Sequence, residues 1–304
     1  MLQLRYQPLS VENEFPLEIS GKAITSRSSL LISLSIGRIS GYGEAIVQYG
    51  QNVVMETLIA SLQAKRPLLE RYALTEPERF WHFLEHLLPH EEILVAALDA
   101  AGWDLFARMR QWPLYHAMGF KTAPSPSKAS ILATSDNNYA YKILHNHSRE
   151  ETCMVWAGTL EEALLRTEYV SSQGGIAMVL CLREGLGWED CVQLATHLPA
   201  SGIQLVEIPW DAHAEMDISI LDRKNIPWIA TVTKESDIPL CKKAGFDGVS
   251  IYPSLWGPTV ALRMVEDARR HDLKVFIGNY TLGSIDVLLA THMSKGADWA
   301  YIYA

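Results

Sequence analysis

Two patterns of apolar and polar positions divide the chain. From about Val53 to Gly119 the apolar residues recur at helical spacing. The clearest stretch runs from Glu91 to Gln111, with Leu94, Ala97, Leu98, Ala101 and Leu105 on one stripe. Thr75-Glu76-Pro77-Glu78 opens another helix, with proline in its first turn. Ahead of these, Leu30–Ile36 has strand composition and ends at Gly37, and Gly41-Tyr42-Gly43-Glu44-Ala45 predicts a turn. The segment from Ser20 to Ser29 carries small and polar residues and predicts a flexible connection.

After the proline-bearing linker Lys121–Ser127 the pattern changes. Short apolar runs alternate with amphipathic helical segments: Ala129–Ala133, Thr152–Trp156, Ile176–Leu182, Ile203–Glu207, Trp228–Val232, Gly248–Tyr252, Lys274–Ile277 and Trp299–Tyr303. Strands separated by helices pair in parallel through right-handed crossovers. Eight such units close naturally into a barrel of (β/α)8 type. The division expected is an α+β unit over residues 1–122 and a barrel over 123–304.

Composition narrows the function classes. With 48% hydrophobic and 20% charged residues the chain can bury a large core. A net charge of -9 argues against nucleic acid, which needs a basic face. No run approaches the 18 apolar residues of a membrane helix. The first residues lack the blocks of a signal peptide, and Cys153, Cys181, Cys191 and Cys241 have no paired metal spacing. A reducing cytoplasm is the expected setting, with a small-molecule ligand as the expected partner and room for a homo-oligomer.

Candidate chemistry sits where strands end, because the C-terminal rim of such a barrel carries the active site. Glu207 closes one strand; the other ends offer Arg183, Thr231 and Tyr252. Trp156, Trp210, Trp228 and Trp256 also lie at or near strand ends, where indoles would narrow a pocket.

Three segments resemble the enolase superfamily, in its mandelate racemase and muconate lactonizing branch. Gly41-Tyr42-Gly43-Glu44-Ala45 is similar to the "GxGEA" segment of that family's capping domain. Ala97-Leu98-Asp99-Ala100-Ala101-Gly102-Trp103-Asp104-Leu105, running on to Pro113-Leu114-Tyr115 and Gly119, resembles its "ALDxAxWDLxGKxxGxPVYxLLG" helix. Val206-Glu207-Ile208-Pro209 resembles "vEqP" on its fourth barrel strand. Within the branch, Phe15–Gly21 and Thr25-Ser26-Arg27 are similar to the dipeptide epimerases.

The resemblance implies a capping domain over a (β/α)7β TIM-like barrel. It also implies isomerase chemistry: a lysine removes a proton α to a carboxylate, and Mg²⁺ stabilises the enediolate. The family's metal-binding acids end strands three, four and five. Glu207 matches the fourth-strand acid; Arg183 aligns on the third-strand aspartate, and Thr231 and Val232 on the fifth-strand acids. A guanidinium about 4 Å from a divalent ion is repelled by roughly 8 kcal/mol at an effective dielectric near 20. Arg183 pointing inward therefore excludes the metal and is expected to pair with Glu207.

The family's lysine positions fall on Met154 and Trp156 of strand two and on Tyr252 of strand six. Tyrosine, with a pKa near 10, is a poor base at neutral pH. The leading expectation is a dipeptide-epimerase-like protein that has lost its Mg²⁺ site and acid/base pair, a pseudoenzyme needing no cofactor and binding a small molecule. Arg27, Trp156 and Thr231 are candidate ligand contacts. Two alternatives stay open: an active epimerase or racemase that keeps Mg²⁺ with relocated ligands, Glu235 among them, and a metal-free enzyme built on Arg183, Glu207 and Tyr252. The family's return segment to the cap, beyond the last strand, is expected to be missing after Ala304.

Overall fold

A computed structural model describes residues 1–46, 54–146, 151–199, 201–210, 217–281 and 283–303. It opens with three antiparallel strands, β1 (Gln3–Ile19), β2 (Lys22–Ile36) and β3 (Ile39–Ile46), followed by helices α1 (Met55–Leu69), α2 (Pro77–Leu87), α3 (Glu92–Met109) and the short α4 (Leu114–Ala117). Then come β4 (Ser127–Leu132), α5 (Asn137–His145), β5 (Thr152–Ala157), α6 (Leu160–Ser172), β6 (Met178–Leu182), α7 (Trp188–His197) and β7 (Ile203–Pro209). The chain continues through β8 (Trp228–Thr231), α8 (Ile238–Lys243), β9 (Gly248–Ile251), α9 (Pro253–Trp256), α10 (Pro258–Arg270), β10 (Lys274–Gly278), α11 (Ser284–Met293) and β11 (Trp299–Ile302). Strands β4 to β11 form a closed parallel barrel, each predicted run supplying one strand. Among the described residues no helix is long and apolar enough to cross a membrane.

Period-two alternation along the barrel strands sorts side chains into two cores. Cys153, Val155, Leu180, Leu182, Val206 and Ile208 face outward against the helices, whereas Met154, Trp156, Val179, Cys181, Leu205, Ile229 and Phe276 fill the interior. Trp228 and Trp210 belong to the outer layer and Trp256 packs against it, so of the four strand-end indoles only Trp156 lies inside. The expectation that all four narrow the mouth is corrected by this alternation.

The N-terminal sheet departs from expectation in two places. Gly41–Ala45 is not a turn; it lies within β3, paired with β2. Its glycines are required because β3 runs directly against α3. A Cβ on Gly41 would stand 2.2 Å from the Leu105 nitrogen, and one on Gly43 would stand 1.9 Å from the Ala97 oxygen. Ser20–Ser29 is likewise not a loose connection. Ser20 and Gly21 turn a long hairpin, and the remainder is β2 in register with β1.

The hairpin tip is fastened to the barrel rim. Arg166 on α6, 1% exposed, donates to the carbonyls of Glu18 (3.0 Å) and Trp156 (2.6 Å) and to Ser135 Oγ (3.2 Å). Glu162 accepts from the Gly21 and Gly158 amides at 3.0 and 2.7 Å. Leu17 and Ile19 thereby join the apolar cluster of the barrel interior.

Buried carboxyls join the N-terminal unit to the barrel. Asp99 on α3 accepts from the Thr259 amide and hydroxyl, both at 2.8 Å, at the start of α10, and the Trp103 indole donates to the same hydroxyl at 2.9 Å. Burial pushes the Asp99 carboxyl up to about 7. Asp286 in the first turn of α11 is also pushed up to about 7 by burial.

Candidate active site at the barrel mouth

Glu207, near the end of β7, is fully buried, and its neighbours across the sheet are Cys181 and Ile229. A carboxylate taken out of water needs donors on its oxygens. The Tyr252 hydroxyl lies 2.6 Å from Oε1 and 2.8 Å from Oε2, and Thr231 Oγ1 donates to Oε1 at 2.8 Å. Thr231 in turn accepts from Ser250 Oγ at 2.9 Å. Both carboxylate oxygens are thus engaged by hydroxyl groups from neighbouring strand ends.

Arg183, which follows β6, lies flat in an aromatic cage. Its Cζ is 3.7 Å from the centre of the Trp156 ring, 5.2 Å from that of Tyr280 and 5.5 Å from that of Tyr252. The expected direct pairing with Glu207 does not form. Arg183 Nη1 donates instead to the Tyr252 hydroxyl at 3.3 Å, and that hydroxyl carries the contact on to Glu207. The physical reason is steric: the phenol occupies the gap while stacking on Trp156 holds the guanidinium at the wall. Nε and Nη2 of Arg183 are shielded from solvent and have no hydrogen-bond partner among the described residues, and the same is true of Trp156 Nε1.

The electrostatics follow from burial and these neighbours. Burial and then the Glu207 charge push the Tyr252 hydroxyl well above its ordinary pKa, against the pull of Arg183. Tyr252 is therefore a protonated donor at neutral pH, not a base. For Arg183, burial works against the charge, but Tyr252, Tyr303 and Glu207 outweigh it and keep the guanidinium protonated. The Cys181 thiol is pushed up by burial and by Glu207, so it is no thiolate nucleophile.

The remaining predicted residues divide. Thr231, Trp156, Tyr252, Arg183 and Glu207 come together. Glu235 does not: it starts the turn before α8, is 42% exposed, and pairs at 3.7 Å with Arg263, whose guanidinium lies over Trp81 of α2. Arg27 sits in β2 opposite Val11, back from the hairpin tip. Sequence reasoning missed Tyr280 and Tyr303 as cage walls. Tyr303 stacks edge-on against Trp156 and donates to the Asn279 carbonyl at 2.6 Å. Alternation from Tyr301 would have pointed Tyr303 inward, whereas Tyr280 lies past a strand end and carried no such signal.

These residues do not fit Mg²⁺. The ion wants near-octahedral oxygen ligands, mostly carboxylate and water. Among the described residues no three His, Cys, Asp or Glu side chains converge, and the Glu207 carboxylate already accepts from two hydroxyls, one of which is shared with the Arg183 guanidinium.

No family model matches the chain. It is 24% identical to an L-Ala-D/L-amino acid epimerase of Flavobacterium johnsoniae over 98% of this chain and 88% of that one. It is 25% identical to a hydrophobic dipeptide epimerase of Roseobacter litoralis over 99% and 89%. In fold it matches the dipeptide epimerase from Enterococcus faecalis V583 complexed with Mg and the dipeptide L-Leu-L-Tyr, with a TM-score of 0.86 at 18% identity, covering 99% of this chain and 89% of that one. Sequence and fold together thus support the resemblance to the enolase superfamily. Its barrel and three-stranded N-terminal sheet are those of the superfamily, and its collinear relatives are dipeptide epimerases. The superfamily scaffold is kept, but its mouth holds an Arg183–Tyr252–Glu207 relay.

Proposed function

We propose that this protein binds a small molecule at the barrel mouth and does not carry out metal-assisted epimerisation. The observation that supports this reading is the Tyr252 hydroxyl lying across both oxygens of Glu207, with Arg183 behind it. A carboxylate held this way is not offered to a metal. Proton abstraction also lacks its base, since Met154 and Trp156 stand where the resemblance expects lysines and both are packed into the apolar interior. A thermal melt with Mg²⁺ or Mn²⁺ at millimolar concentration tests the metal half: no shift is expected, and a rise of several degrees would count against the reading.

One observation favours a second reading, an active dipeptide epimerase. The similarity to epimerases extends over 98% of this chain and 88% of each of two such relatives. Deuterium entering the α-carbon of a dipeptide in D₂O would establish that reading over the first.

A further inference from the structure

We propose that Arg183 is the recognition group for a ligand carboxylate, gripped by the Nε–Nη2 edge of its guanidinium. The inference rests on the reading of the mouth as a metal-free binding site and adds the class of ligand. A guanidinium has one edge on which the Nε and Nη2 hydrogens point the same way, and this fork matches the two oxygens of a carboxylate. In Arg183 these are the two nitrogens without partners, while Nη1 is turned to Tyr252. Buried charged donors left unpaired are costly and are rare in folded proteins. The indole N–H of Trp156, the ring on which the guanidinium rests, is a third donor without a partner.

Two acceptors nearby are already engaged. Glu207 accepts from Tyr252 and Thr231, and the Asn279 carbonyl accepts from Tyr303. The unpaired donors of Arg183 and Trp156 call for a ligand that brings oxygen lone pairs. The flat aromatic walls of Trp156, Tyr252 and Tyr280 suit a planar carboxylate better than a tetrahedral oxyanion. Glu207 accepts from two hydroxyls and is separated from Arg183 Nη1 by the Tyr252 hydroxyl. Arg183 keeps part of its surface in solvent and is followed by the exposed Glu184 and Gly185.

The test compares an acid with its amide. L-Leu-L-Tyr and L-Leu-L-Tyr amide are titrated into the full-length protein without metal, following tryptophan fluorescence and calorimetric heat, with acetate and inorganic phosphate alongside. The free acid is expected to bind 10- to 100-fold more tightly than the amide, as loss of a charge-assisted fork implies. Acetate is expected to compete with it better than phosphate does. Arg183→Lys, which keeps the charge and loses the fork, should erase most of the acid-over-amide preference while the melting curve shows a folded protein. Equal binding of acid and amide, no binding of either acid at 10 mM, or stronger competition by phosphate would each overturn the proposal. The acid–amide comparison uses the unmodified protein, so it holds even where a variant fails to fold. Mg²⁺-dependent deuterium exchange would instead defeat the metal-free reading, so the two failures are told apart.

Discussion

Replacing Tyr252 by phenylalanine removes one oxygen from the centre of the relay and leaves the ring in place. That hydroxyl is the shortest donor to Glu207, at 2.6 Å, and the acceptor for Arg183 Nη1, at 3.3 Å. A buried hydrogen bond to a charged group contributes about 1.5–3 kcal/mol, and its loss leaves a charged partner desolvated. Because the arginine contact is long, most of the effect falls on the carboxylate, and Tyr252→Phe should cost about 3 kcal/mol. With about 2 °C lost per kcal/mol in a chain of this size, the midpoint should fall by about 6 °C. Urea unfolding of the wild type, Tyr252→Phe, Glu207→Gln and the double variant gives the coupling directly. The single variants should be non-additive by more than 1 kcal/mol. A Tyr252→Phe protein within 0.5 kcal/mol of wild type, or strict additivity, would refute the relay and mean that Glu207 and Arg183 satisfy each other without the phenol.

Three further outcomes follow from the same geometry. Gly43→Ala places a methyl 1.9 Å from the Ala97 carbonyl, so β3 must part from α3; a loss of about 3 kcal/mol or more, or failure to fold, is expected in urea unfolding, against near-neutrality for Gly37→Asn in the open turn. Asp99 and Asp286 have folded-state pKa values raised to about 7. For a raised carboxyl the stabilising protonation is complete below pH 4 and is lost as pH rises through 7. Their contribution should therefore decline between about pH 4 and 7, and Asp99→Asn should flatten the slope of melting temperature against pH over that window. Arg166→Met removes the donor that ties the Glu18 carbonyl to the barrel rim, and limited proteolysis should then cut near Gly21 at least tenfold faster than in the wild type.

The barrel was legible because each of its strands is a short run of apolar residues between helical segments, and buried parallel strands read that way. The β1–β2 hairpin was not, because most of it faces solvent on both sides. Its pattern of Ser, Glu and Arg carries no core-facing alternation over residues 5–14 or 22–28. Gly41–Ala45 was read as a turn because glycine more often marks a bend than a close approach. The distinction lies in α3, more than 50 residues further along the chain. At the mouth, Glu207, Arg183, Thr231, Tyr252 and Trp156 were all found by their place at strand ends. What eluded the sequence was which of them touch. Whether Arg183 meets Glu207 on the neighbouring strand depends on the reach of a phenol ring from the end of β9 and on where an indole holds the guanidinium, and neither is encoded in spacing along one strand.

On the proposed reading, the Arg183–Tyr252–Glu207 relay stands in place of metal-assisted proton abstraction. The most direct measurement incubates the protein with L-Leu-L-Tyr and a panel of other dipeptides in D₂O with 5 mM Mg²⁺, following the α-proton by NMR. No exchange above that of the buffer is expected, with or without the metal. Mg²⁺-dependent loss of the α-proton signal that disappears in Glu207→Gln would contradict it.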